Sequence, residues 1–241
     1  MTYISEIRGR SGKDHIDSVL NRVGPLADRQ SVDEGTLQAW TGTLPDILID
    51  FWRHHGLGTL QSGLMRLCLP DDFQGLLSQI FHADKDLSHT DCHVIGYGPF
   101  GHLVLWSARH WIVEVDLLRA RVSSPGLMDA SKKKNENASV IAHLLGHQPD
   151  SLDAYDDSDN KLFKPAVGAL GQPQSGEAFG FFPALAMGGA KCRKHQNRPG
   201  ARTFSFSSPT SAIPACGLSR PTAADRAGHR VRLRLDVQEQ Y

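Results

Sequence analysis

Apolar residues recur at helical spacing in two places in the first half of the chain. In "GTLPDILIDFWRHHGLGTL", Leu44, Ile47, Leu48, Phe51 and Trp52 fall on one helical face, with Pro45 opening the run and Gly56 closing it. The pattern predicts a helix over about 45–55. In "LPDDFQGLLSQIFHAD", Phe73, Leu76, Leu77, Ile80 and Phe81 make a second apolar face behind Asp71 and Asp72, residues that favour a helix start. Three runs rich in β-branched and aromatic residues follow: "CHVIGYG", "GHLVLWS" and "WIVEVDLL". Gly98-Pro99-Phe100-Gly101 separates the first two and the short segment from Ser107 to His110 the last two, both of hairpin length. The expected fold is therefore α+β: an antiparallel meander with the two helices covering one of its faces.

The polar stretch "SSPGLMDASKKKNENAS", with Lys132, Lys133 and Lys134 in a row, reads as a linker or exposed loop. A small, mainly helical unit is expected after it. "SVIAHLLGHQPDSLD" predicts a helix that stops near Gly146, "YDDSDNKLFKPAVGALG" an acidic turn feeding a short helix, and "AFGFFPALAMGG" an apolar segment with two glycines. Near Ala190 the pattern ends. "KCRKHQNRPGARTFSFSS" has neither helical nor strand period, so the chain divides into units at about 20–125 and 138–190 and an irregular tail over 191–241. There is no internal repeat.

Charge sharpens that division. The 241-residue chain has a formal net charge of zero, but residues 1–190 hold 16 Lys and Arg against 23 Asp and Glu, a net of −7, and residues 191–241 hold 10 against 3, a net of +7. An acidic body favours a basic partner and argues against a grip on nucleic acid. No apolar run approaches the length of a membrane span and the N-terminus lacks a signal-peptide core, so a cytoplasmic protein is expected. Cys68, Cys92, Cys192 and Cys216 lie too far apart for a zinc ribbon and read as ordinary thiols.

Signatures of catalysis do not emerge. The chain has no G-x-S-x-G elbow, P-loop, H-E-x-x-H or dinucleotide fingerprint. His54-His55, Cys92-His93 and the His143/His147 pair are the local candidates for chemistry. His143 and His147 stand at i, i+4, the spacing of two zinc ligands on one helix, but Gly146 should end that helix and no third ligand is evident, so no metal or cofactor is expected. Asp156, Asp157, Asp159 and Asn160 superficially resemble a calcium loop but lack its glycine and its final glutamate; an acidic turn capping the next helix is expected instead. Trp40, in the polar "QAWTG", is a candidate surface anchor.

The stretch "NRVGPLADRQSVDEGTLQAWTGTLPDILIDFWRHHGLGTLQSGLMRLCLPDDF", followed by "HVIGYGPFGHLVLW", resembles the bacterial GAD-like domain. "QPDSLDAYDDSDNKLF" and "FGFFPALAMGG" resemble the small C-terminal domain that accompanies it. That architecture is similar to type VI secretion immunity proteins, which bind and neutralise a cognate DNase. The resemblance spans about residues 20–190. It implies a stoichiometric inhibitor without catalytic residues, whose acidic groups stand in for DNA phosphates against the toxin. Asp156, Asp157, Asp159 and Trp40 are the expected partner-binding residues. The competing expectation, from a different class, is a histidine- and aspartate-dependent hydrolase or nuclease with the basic tail as its nucleic-acid grip.

In the resembling family the "PALALGG"-like segment leads into an apolar helix; here "PALAMGG" leads into the basic tail. Read one nucleotide later from within codon 191, the codons require Asn or Ser, then Val or Ala, permit Glu, and continue through Asn or Ser, Ile or Thr, Lys or Arg, and Ile or Thr. An amphipathic helix is compatible with that series. The tail thus reads as a frameshift product, with a native disordered tail and a nucleic-acid arm as the alternatives.

Overall fold

A computed structural model describes residues 2–156 and 158–181, together with the backbone of three strands at 201–205, 216–218 and 231–235. A short hairpin, β1 (Glu6–Ile7) and β2 (Arg10–Ser11), leads into α1 (Gly12–Val23), capped where the Ser11 side chain accepts from the Lys13 N–H. Then come β3 (Ala27–Gln30), α2 (Glu34–Trp40), α3 (Asp46–His55), β4 (Leu57–Leu60), β5 (Met65–Leu67) and α4 (Gln74–Ile80). The predicted three-strand meander is β6 (Cys92–Tyr97), β7 (His102–Ser107) and β8 (Trp111–Asp116), and β9 (Arg121–Ser123) continues it. After α5 (Pro125–Met128), α6 (Glu136–Val140) runs directly into a π-helical turn at Ile141–Leu145, followed by α7 (Pro149–Leu152), α8 (Phe163–Leu170) and β10 (Glu177–Phe181).

Strands β3 to β9 form one antiparallel meander in chain order. Three segments of the basic stretch are also strands: β11 (Ala201–Ser205) pairs with β10, and β13 (Val231–Leu235) adds to β9 and carries β12 (Cys216–Leu218).

The helices do not share a face of this sheet as the sequence suggested. α3 packs Ile47, Leu48, Phe51 and Trp52 against Ile95, Val104, Trp106 and Ile112. α4 packs Leu76, Leu77 and Ile80 against Val94, Leu103, Leu105 and Val113 on the other side. The reason lies in β7: Val104 and Trp106 point to one face and Leu103 and Leu105 to the other, so both faces need cover.

Val140, Leu144, Leu145 and Leu152 of the C-terminal unit belong to the same buried cluster as α3. Gly96 shows how close this contact is, since a Cβ there would stand 2.5 Å from Leu144 Cδ1. Buried Asn137 adds polar ties. Its Oδ1 accepts from the Ile47 N–H (3.1 Å), an otherwise unpaired first-turn donor of α3, whose N-cap Pro45 gives no side-chain cap, and its Nδ2 donates to Glu6 O (3.1 Å).

Candidate functional site

Strand register decides which polar residues meet under the C-terminal helix. Val104 lies opposite Glu114 and His102 opposite Asp116, so His102 and Glu114 point to the same face as Trp106 and Ile112. That is the face on which α6 and its π turn rest. A π turn inserts a residue into the helical ladder and such turns recur at functional sites; here it carries His143 and delivers His147 just past Gly146.

Both histidines converge on one carboxylate oxygen. His143 Nδ1 lies 3.0 Å from Glu114 Oε1 and His147 Nε2 lies 3.3 Å from it. The His102 and His147 rings meet edge to face with centroids 5.2 Å apart. Gln61 Nε2 donates to His147 O (2.6 Å), which holds the backbone after the turn. Burial pushes the Glu114 carboxyl up, but the two histidines against it outweigh that and hold it well below the usual carboxylate range. His102, deeper beneath the helix, is pushed below the ordinary histidine range by burial. His102, Glu114 and His147 each offer a ligand atom, all within 4.8 Å of one another. The spacing of His143 and His147 was visible in the sequence; their carboxylate partner comes from a strand about 30 residues earlier, which no linear spacing reveals. A signal did exist, in the polar positions of "GHLVLWS" and "WIVEVDLL" that would share a face once paired.

The other histidines go elsewhere. His54 stacks on Tyr3 with ring centroids 4.0 Å apart, and His93 packs edge-on against Trp40 at 5.2 Å. The four histidines His54, His93, His143 and His147 thus occupy three places, and the single constellation required by a histidine-based hydrolase does not form from them. A surface cleft of about 330 Å³ lined by Leu20, Pro25, Leu26, Arg29 and His55 lies apart from Glu114.

Of the residues expected to bind a partner, Trp40 ends α2 half-buried against His93 and the main core. Asp156 and exposed Asp159 sit in the turn before α8, and Asp157 lies outside the described residues. Asp156 accepts from the Ser158 and Asn160 N–H groups (2.8 and 2.9 Å), closing the turn on itself. The cap of α8 comes instead from buried Asp153, whose Oδ1 accepts from the Leu162 and Phe163 N–H groups (3.2 and 2.9 Å). The expected capping role therefore belongs to a carboxylate upstream of the acidic run, because Asp156 is consumed locally.

The architecture is that of an α+β protein in which a meander domain seats a small C-terminal unit through a shared core. Residues 14–118 match the GAD-like domain, and residues 141–196 match the C-terminal domain described as T6SS immunity protein Tdi1. The two matches follow one another in that order along the chain. Its fold is similar to the crystal structure of Atu4351 from Agrobacterium tumefaciens, with a TM-score of 0.69 and 22% identity over 79% of this chain and 84% of that one. No curated protein matches the chain.

Proposed function

We propose that this chain is a type VI secretion immunity protein that neutralises a toxin by holding it in a stoichiometric complex in the cytoplasm of the cell that makes both. The observation that carries the reading is the match of residues 141–196 to the Tdi1 C-terminal domain, seated on a GAD-like domain. The partner we assign is a DNase. The net −7 of residues 1–190 suits a basic DNA-binding surface on the toxin, steering the encounter and competing with phosphates for its Lys and Arg. Asp156, Asp157 and Asp159 are the carboxylates we assign to the partner contact, and Trp40 its aromatic anchor. The protein acts by binding and turns over no substrate.

We further read the basic stretch from 191 onward as the product of a changed reading frame and as dispensable for folding of the GAD-like domain. The test is co-expression with the toxin encoded beside its gene. Cells producing the toxin together with this chain should grow and keep intact chromosomal DNA, whereas toxin alone should kill. Equal killing with and without the chain would contradict the reading.

A further inference from the structure

We propose that His102, Glu114 and His147 form a binding site for a divalent transition-metal ion, zinc by ligand chemistry, that clips the β7–β8 hairpin to the C-terminal unit. The inference does not rest on the immunity reading. Two imidazoles and one carboxylate are a donor set that zinc accepts, and hard cations such as magnesium or calcium do not favour the imidazoles.

The distances fit one ion. Ligand bonds of about 2.0–2.1 Å at tetrahedral angles separate ligand atoms by about 3.3 Å, and His147 Nε2 stands 3.3 Å from Glu114 Oε1. Two imidazoles on one such ion hold their ring centroids about 5 Å apart, and those of His102 and His147 are 5.2 Å apart. All three ligand atoms lie within 4.8 Å of one another, so small side-chain rotations close the set.

Hydrogen bonding around His147 sets its tautomer. Ser151 Oγ donates to Gln148 O (2.8 Å), so at 3.3 Å from His147 Nδ1 that oxygen is the acceptor and Nδ1 carries the proton. Nε2 of the same ring faces Glu114 Oε1 at 3.3 Å and has no hydrogen-bond partner among the described residues, a place where a shared cation would satisfy nitrogen and carboxylate together. The buried Nε2 of His102 likewise has no hydrogen-bond partner among the described residues, on a ring that offers a ligand atom to the same set. His143 completes the arrangement from outside, with Nδ1 3.0 Å from Glu114 Oε1, the kind of outer contact that orients a ligating carboxylate. Half-exposed His143, with 39% of its side chain accessible, leaves the ion a route from solvent.

The test uses the untagged full-length chain, stripped with chelator and then titrated with zinc chloride or cobalt chloride. One equivalent of zinc should remain after dialysis by elemental analysis, the melting temperature should rise by several degrees, and cobalt should produce the strong visible absorption of a four-coordinate site. His102→Ala and Glu114→Gln should each weaken zinc binding roughly 10–100-fold, while His82→Ala, an exposed histidine elsewhere, should not. Should a variant fail to fold, the cobalt spectrum of the unmodified chain decides. Retention of no metal and no visible absorption would overturn the proposal. So would undiminished binding in folded His102→Ala, which would place the ion among other histidines.

Discussion

Asn137 carries more structural consequence than its position in a polar run suggests. Its side chain satisfies a first-turn N–H of α3 and a carbonyl of β1 at once, the first of them buried. Asn137→Ala leaves a donor and an acceptor without partners and should cost about 2–3 kcal/mol, read as a lower urea midpoint. Asn137→Asp keeps the acceptor for Ile47 and should cost less than Ala; equal losses would show that the α3 cap contributes nothing. Little of this was legible in the sequence, because a cap supplied from 90 residues away leaves no local signature. His143 and His147 stood out by spacing alone, and so did the apolar face of α3. Glu114 and His102 did not, because within "WIVEVDLL" and "GHLVLWS" they look like the ordinary polar positions of a strand until pairing puts them on one face.

At the scale of elements, the α6 and π-turn segment is held so close to the sheet that one methyl group is too many. Gly96→Ala would place a Cβ 2.5 Å from Leu144 Cδ1 and 3.1 Å from Arg66 O. Over-packing of this kind costs about 1–3 kcal/mol. The same change should also loosen the His143–Glu114 contact, so the imidazole signals of His143 and His147 should shift in NMR spectra. A stable variant with unchanged histidine signals would mean that the helix does not bear on β6 in solution. α3, α4 and the three central strands were readable because each has its own period and stop signals, whereas α1 and α2 were not read, their apolar positions being sparse among polar ones. The remaining strands of the sheet were not: β3 is wholly exposed, and β4, β5 and β9 are only three or four residues long, too short for a period to register. The two-sided burial of the sheet was written in β7, where consecutive residues are apolar, and was missed by weighing residue types over alternation.

For the whole molecule, acid should destabilise the fold before most carboxylates titrate. His54, His55, His93 and His102 are all pushed below the ordinary histidine range, chiefly by burial. For a base whose folded value is depressed, the unfolded chain binds the proton more readily. Stability is then fully present above the unfolded value of about 6.5 and is lost as pH falls below it. The urea midpoint should therefore drop between pH 7.5 and 5.5, and a flat profile would contradict the burial of these rings. Below the ordinary carboxylate range the depressed Glu114 adds a further loss, which Glu114→Gln should remove. Deleting residues 191–241 should leave the main unfolding transition cooperative and shifted by only a few degrees. Outside the basic stretch, β11 and β13 pair with β10 and β9 at the sheet edges, and the two large apolar clusters, among the described residues, come from positions before 153. Loss of cooperativity would instead make the basic stretch part of the core. The most direct measurement of the central claim is a titration of the toxin's DNA cleavage with the purified full-length chain, followed by light scattering on the mixture. Inhibition by binding predicts that cleavage falls linearly to zero at one chain per toxin and that a one-to-one complex elutes. Undiminished cleavage at a large excess of the chain, with no complex, would contradict it.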